Sequence, residues 1–430
     1  MSIAVAGSGI SGMLAAYLLS QEHDVTLFER DARLGGHTNT VRVTHEGREL
    51  AVDTGFIVFN ERNYPNFCRL LRHLGVDSRP TTMSFSLRDP VRKFEYGGSS
   101  LPGVVGPVSN LLRPRWWRVV GGVARLGGAG KSALAAAAPN ETIADLARSG
   151  RISQAVLDDY MLPMAAAIWS APREAMLDFP ARFLLRFFDN HGMLDLRERP
   201  EWRTVRGGSC AYVQAMLPTL EPITRLNAPV LGIRRDDAGV EVRTARGHER
   251  FDHIVLATHA DQALALLEDP SPEEAAILGA MPFQTNDTVL HTDARQLPTR
   301  RRCWAAWNYR LTGDSARPVS VTYNMSILQG LKTRDPLCVT LNDTDAIDPG
   351  KIIARFRYDH PLYSLEGDRA RARWDQISGH HTRTHYCGAY WRNGFHEDGV
   401  VSALRVCEAF GVSLDAPGEG RAPTPEEIAA

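Results

Sequence analysis

Ile3-Ala4-Val5-Ala6-Gly7-Ser8-Gly9-Ile10-Ser11-Gly12, then Met13 to Leu19, then Val25-Thr26-Leu27-Phe28-Glu29, is the stretch on which the fold of this chain turns. A short apolar run is a buried strand, and the Gly-x-Gly-x-x-Gly after it is a tight turn opening a helix. Gly7 permits the turn, Gly9 brings the backbone up to a pyrophosphate, and Gly12 lets the helix lie close on the strand. The free N–H groups where that helix starts, around Ser11, hold phosphates. Val25 to Phe28 is a second strand, and Glu29 ends it where an acid takes a ribose hydroxyl. Strand, turn, helix, strand and acid fall in order, with about 20 residues from turn to acid. The expected class is α/β with a Rossmann-type dinucleotide-binding domain.

The residues that follow narrow the dinucleotide. Arg33-Leu34-Gly35-Gly36-His37-Thr38 comes directly after the acid, and Asp53-Thr54-Gly55-Phe56 shortly later. Glu29-x3-Arg33-x-Gly35-Gly36 resembles the second FAD signature of the flavin amine oxidase and phytoene desaturase superfamily. That resemblance implies FAD, held in a GR2-like domain interleaved with an α+β substrate domain. It places the paired glycines against the pyrophosphate and ribitol, assigning Arg30, Arg33, Gly35, Gly36, His37 and Thr38 to the cofactor. It also brings Thr54, Gly55 and Phe56 toward the flavin ring. An ordinary NAD dehydrogenase has no reason to carry the second Gly-Gly turn.

With 430 residues the chain has room for two domains, and a formal net charge of −1 creates no field to recruit nucleic acid. Six cysteines are scattered without a C-x-x-C pair, so they form no metal template or disulfide framework, as in a reducing compartment. No metal ligands are assigned. The first strand begins at residue 3, leaving no room for a signal peptide, and no apolar run is long enough to span a bilayer. A cytoplasmic protein is expected, with membrane contact as a further option.

Taken in order, residues 1–75, 196–270 and 380–411 are read as a discontinuous FAD-binding domain, 76–195 and 271–379 as the substrate domain, and 412–430 as a disordered tail rich in Pro, Gly and Glu. Asn63 to Leu74 has the spacing of an amphipathic helix, and Ser84 to Leu87 and Lys93 to Tyr96 alternate like strands. Residues 101–195 read as mostly helical. Gly121-Gly122 and Gly127 to Gly130 imitate a second glycine motif, but no strand precedes them, so a loop is expected. Arg113-Pro114-Arg115-Trp116-Trp117-Arg118 fits either a lipid-headgroup contact or a helix start with buried aromatics. Thr288 to His291, Cys303 to Tyr309, Val319 to Met325 and Leu337 to Leu341 suggest an antiparallel sheet. The resemblance adds an adenine contact at the backbone of Val230 and a strand ending near Thr258 that closes the first sheet.

The closing motif, Tyr386 to Trp391 followed by Gly394-Phe395-His396-Glu397-Asp398-Gly399-Val400, resembles the C-terminal FAD motif of the same superfamily. It implies a helix N-terminus aimed at the flavin, where its positive end favours the reduced, anionic form. Gly388, Tyr390, Glu397, Asp398, Gly399 and Val400 are assigned to the cofactor on this basis. Ala389 departs from the family, standing where an acid is usual.

The overall resemblance is nearest to a bacterial subgroup of NAD/FAD-binding, amine-oxidase-like proteins associated with fatty acyl modification. It implies dehydrogenation (desaturation) of an apolar lipid, such as a methyl-branched or cyclopropane-type acyl chain, by hydride transfer to flavin N5. The alternatives are an oxygen-dependent amine oxidase and a non-catalytic flavoprotein that binds a lipid or partner. Only four lysines occur, Lys93, Lys131, Lys332 and Lys351, none in a stretch resembling the lysine site of the amine oxidases. His37 and His396 are the candidate catalytic groups.

Overall fold

A computed structural model of the chain describes residues 1–194, 199–311 and 320–414. Its first layer is a five-stranded parallel sheet in the order Thr224–Arg225, Asp24–Phe28, Ser2–Ala6, His253–Leu256, Thr384–Tyr386. Ile3, Val5, Leu27, Ile254 and Leu256 are wholly buried, as strands covered on both faces must be. In the turn after the first strand Gly7 has φ +100°, a conformation side chains disfavour. A Cβ on Gly12 would stand 1.9 Å from the Gly7 carbonyl oxygen, so helix Ile10–Leu19 can lie where it does only without one. The strand ending before Thr258 does not close the sheet. It sits inside, between Ser2–Ala6 and Thr384–Tyr386, and the last strand made is the edge.

The second layer is a seven-stranded sheet in the order Ile352–Pro361, Phe283–His291, Cys338–Leu341, Ser320–Asn324, Trp307–Arg310, Phe85–Asp89, Phe94–Gly97. Its pairing is antiparallel except between Trp307–Arg310 and Phe85–Asp89. Val319, included in one expected strand, lies outside the described residues. Ile352–Pro361, ten residues long, was not anticipated. Its Arg355, Arg357 and Asp359 alternate with Phe356, Tyr358 and His360, the period of two of a strand with one face toward solvent.

Helices between residues 101 and 190 cover this sheet. The glycine-rich stretch expected as a loop is helical, inside Pro114–Ala136. Packing overrides propensity there. A Cβ on Gly122 would come 2.2 Å from Val156 Cγ2, and one on Gly130 would come 2.8 Å from Leu194 Cδ2. At the start of the same helix Trp116 is buried, donating Nε1–H to the Val104 carbonyl at 3.0 Å, while Trp117 is 57% exposed.

Ile277, Leu278, Ala370, Trp374 and Ile377 join the core of the parallel sheet rather than the substrate domain. Glu274, buried on helix Pro272–Gly279, accepts from Arg235 at 2.8 Å and from the Tyr386 hydroxyl at 2.7 Å, which ties that helix to the edge strand. Val412 and Leu414, placed by the sequence in the tail, are also buried in this core, and residues 415–430 lie outside the described residues.

Candidate active site

A cavity of about 300 Å³ is lined by residues of both domains. At one end stand Gly9, Ile10 and Ser11. No side chain caps helix Ile10–Leu19 and no acid lies in its first turn, so its N–H groups remain available to an anion. A Cβ on Gly9 would meet no atom within 4 Å, in contrast to the crowded Gly12. Glu29, at the end of its strand, accepts the Ser8 N–H at 2.9 Å and the Asp31 N–H at 2.8 Å.

The second glycine turn is stitched to the first by the Gly35 N–H donating to the Ser8 carbonyl at 2.9 Å. Arg33 bonds the carbonyls of Gly36 at 2.8 Å and Thr38 at 3.2 Å, so its guanidinium shapes the turn from behind. Arg30 points into solvent beside Asp31. Thr38 and Tyr212 share a hydroxyl–hydroxyl hydrogen bond, and each lies 3.0 Å from His396 Nε2. The His396 ring stacks on Phe56 at 3.6 Å and 7°. That nitrogen is therefore engaged, and His396 ties its own helix to the segments carrying Thr38, Phe56 and Tyr212.

His37 is different. It lines the cavity, and its Nε2 is buried without a hydrogen-bond partner. Around its ring lie Tyr358 at 5.0 Å, His360 at 5.6 Å and His259 at 6.1 Å between centroids. Burial, reinforced by His259, lowers His37 to about 4. Burial likewise takes His259 to about 4 and, with His37 beside it, His360 to about 3. At neutral pH the three are uncharged and offer lone pairs and N–H groups. Asp359 Oδ2 stands 3.9 Å from His259 Nδ1, while its Oδ1 accepts from Thr285 at 2.6 Å. His259 Nδ1, Trp307 Nε1 and the Tyr390 hydroxyl are further buried polar atoms without a partner on this wall.

Among the sequence-assigned residues, Gly9, Ser11, Gly35, His37, Thr54, Gly55, Phe56, Thr258, Gly388, Tyr390 and His396 line the cavity. Gly7, Gly12, Glu29, Arg33, Gly36 and Thr38 form the turns behind that wall. Six further assigned residues do not line the cavity: Arg30, in solvent beside Asp31, and five whose places are as follows. Glu397 accepts from the Asn66 N–H at 3.1 Å, the Asn66 amide at 2.8 Å and the Phe67 N–H at 2.9 Å, capping helix Pro65–His73. Asp398 accepts the Phe395 N–H at 2.9 Å and caps its own helix, His396–Ala409. Burial raises these carboxyls to about 7 and about 6 despite the bonds. Gly399 lets that helix approach Ile10, and Val400 is core. Val230 starts strand Val230–Asp236, paired with Thr244, and does not reach the cavity lining.

The family model for flavin containing amine oxidoreductase matches residues 10–306. The chain belongs to this family. AofH of Mycobacterium tuberculosis, assigned as a flavin-containing monoamine oxidase, is 23% identical over 343 residues, 76% of this chain and 71% of AofH. Among solved structures, a putrescine oxidase variant superposes with TM-score 0.68 at 14% identity, covering 95% of this chain and 98% of that one. A CLA-producing fatty acid isomerase from P. acnes gives 0.65 at 18%, with the same coverage. Cyclohexylamine oxidase of Brevibacterium oxydans gives 0.64 at 16%, covering 95% and 99%. At these identities the solved structures share the fold.

As a member of the flavin amine oxidoreductase family the protein is an FAD-dependent oxidoreductase. The residues present fit that cofactor. An uncapped helix start beside a bare glycine suits a pyrophosphate, and the second glycine turn extends the same wall. The partnerless donors Trp307 Nε1 and Tyr390 OH, with the neutral His37 and His259, supply hydrogen bonds to a polar ring. The polar group of Tyr358, Asp359 and His360 escaped the sequence reading because its strand did. The readable signal was the alternation of Phe356, Tyr358 and His360. His259 adjoins Thr258 directly and was within reach.

Proposed function

We propose that this oxidoreductase dehydrogenates an apolar lipid, specifically a modified fatty acyl chain. The observation that carries the reading is the wall formed by Ile168, Trp169, Phe187, Met193, Trp202 and Phe395, which contains no charged group. No lysine or arginine lines the cavity among the described residues, and Asp359 is its one acid. Such a wall binds hydrocarbon and excludes water from the reacting carbon. FAD, when bound, takes up the hydride lost from the substrate C–H bond. His37, whose Nε2 is buried without a partner, is the group proposed to receive the proton that leaves with it.

Anaerobic mixing with methyl-branched or cyclopropane acyl lipids should bleach the visible flavin absorbance, and amines should not. His37→Asn should keep its bound flavin yet bleach at least tenfold more slowly, in line with general-base contributions of about 10²–10⁴. Bleaching by amines alone would establish the second reading, an amine oxidase, whose substrate ammonium would pair with Asp359. Flavin that no candidate reduces would support the binding module.

Among the described residues no helix is long and apolar enough to cross a membrane. We further propose a peripheral membrane face. Of the ten exposed large hydrophobic side chains among the described residues, six fall between residues 91 and 117: Val91, Leu101, Val108, Leu111, Leu112 and Trp117. Residues 96–140 contain no Asp or Glu but carry Arg113, Arg118, Arg125 and Lys131, besides Arg115, which is paired with Asp159. Apolar tips among cations suit an anionic lipid surface, the source of the proposed substrate.

A further inference from the structure

We propose that His253, His380 and His385 form a binding site for a divalent transition-metal cation of the zinc type, separate from the flavin cavity. Taking one nitrogen from each ring, the three atoms all lie within 4.8 Å of one another. His380 Nδ1 and His253 Nε2 are 3.4 Å apart. In a tetrahedral zinc site with Zn–N of about 2.0–2.1 Å the ligand nitrogens are separated by about 3.3–3.4 Å. That pair already has the required spacing, and a nitrogen of His385 lies within 4.8 Å of both.

The hydrogen-bonding pattern points the same way. His380 Nε2 lies 2.7 Å from the Ala409 carbonyl. Donation there leaves Nδ1 as the lone-pair atom, the outer-shell arrangement that orients metal-bound histidines. Both ring nitrogens of His385 are buried without a partner. A buried nitrogen in that state costs free energy, and a cation gives a lone pair its partner. Three imidazoles leave a fourth position to water.

The location sets the role. His253 begins its strand level with Ile3, and His385 lies on the neighbouring edge strand. This is the end of the parallel sheet opposite the glycine turn. A cation here would join strand His253–Leu256, the edge strand beside it, the loop before that edge strand and, through Ala409, the end of the closing helix. It would act on stability rather than on the redox chemistry.

The test uses FAD-bound protein free of any polyhistidine tag, stripped with EDTA and equilibrated with Zn2+ before metal analysis and thermal melting. One equivalent should bind and raise Tm. His380→Ala, at an exposed position, should weaken binding at least tenfold without changing flavin content, and His248→Ala, a distant exposed histidine, should leave it intact. His385→Ala should lose the site as well; if it fails to fold, His380→Ala decides. Binding that never saturates, or one equivalent held equally tightly by His380→Ala, overturns the proposal.

Discussion

Gly9 and Gly12 are three residues apart, and their missing side chains face different surroundings. A methyl group on Gly9 meets no protein atom within 4 Å and projects where an anion would lie, whereas one on Gly12 runs into the Gly7 carbonyl. Gly9→Ala should therefore melt like the parent but retain at least tenfold less FAD, read from the ratio of visible to ultraviolet absorbance. Gly12→Ala should lose the fold, with a large drop in Tm or in soluble yield. Equal damage to melting by both would break the distinction. The two glycines were legible because their roles follow from spacing within one local motif. The roles of Glu397 and His396 were not. Glu397 caps a helix 331 residues earlier in the chain, and His396 reaches Thr38 across 358. No local pattern carries such a partner.

Within single elements, composition and packing compete. Helix Pro114–Ala136 contains five glycines, each of which weakens a helix in isolation. Gly122 is there because Val156 occupies the space of a side chain, while Gly128 faces nothing within 4 Å. Gly122→Ala should destabilise the protein by about 1–3 kcal/mol through overpacking. Gly128→Ala should stabilise it by about 0.5–1 kcal/mol through helix propensity. Urea melts of the two variants check the pair, and matching signs would refute the packing account. The same competition explains what could be read of the elements. Phe85–Asp89 and Phe94–Gly97 announce themselves by alternation. The glycine-rich helix and the arginine-rich strand Ile352–Pro361 take their form from neighbours.

For the molecule as a whole, the membrane face predicts behaviour that no single element shows. The holoprotein should sediment with phosphatidylglycerol vesicles at low salt, and much less with phosphatidylcholine or at high ionic strength. Changing both Leu112 and Trp117 to Glu should abolish sedimentation while leaving flavin absorbance and Tm unaltered. A parent protein that stays in the supernatant with every lipid would remove this face from the account. The two-domain plan was largely visible in the sequence, because the dinucleotide motif and the alternating strands mark separate territories. The allegiance of Ile277 and Trp374 was not, since they look like any core residues until the sheet they pack on is known.

The order of strands in the parallel sheet has a consequence for biosynthesis. Ser2–Ala6 and its glycine turn leave the ribosome well before the edge strand Thr384–Tyr386 and helix His396–Ala409, which packs against helix Ile10–Leu19. The nascent chain thus carries its glycine turn through the synthesis of everything between, without the elements that close over it. Translation stopped ahead of residue 384 should yield a glycine turn with no site around it and no retained flavin.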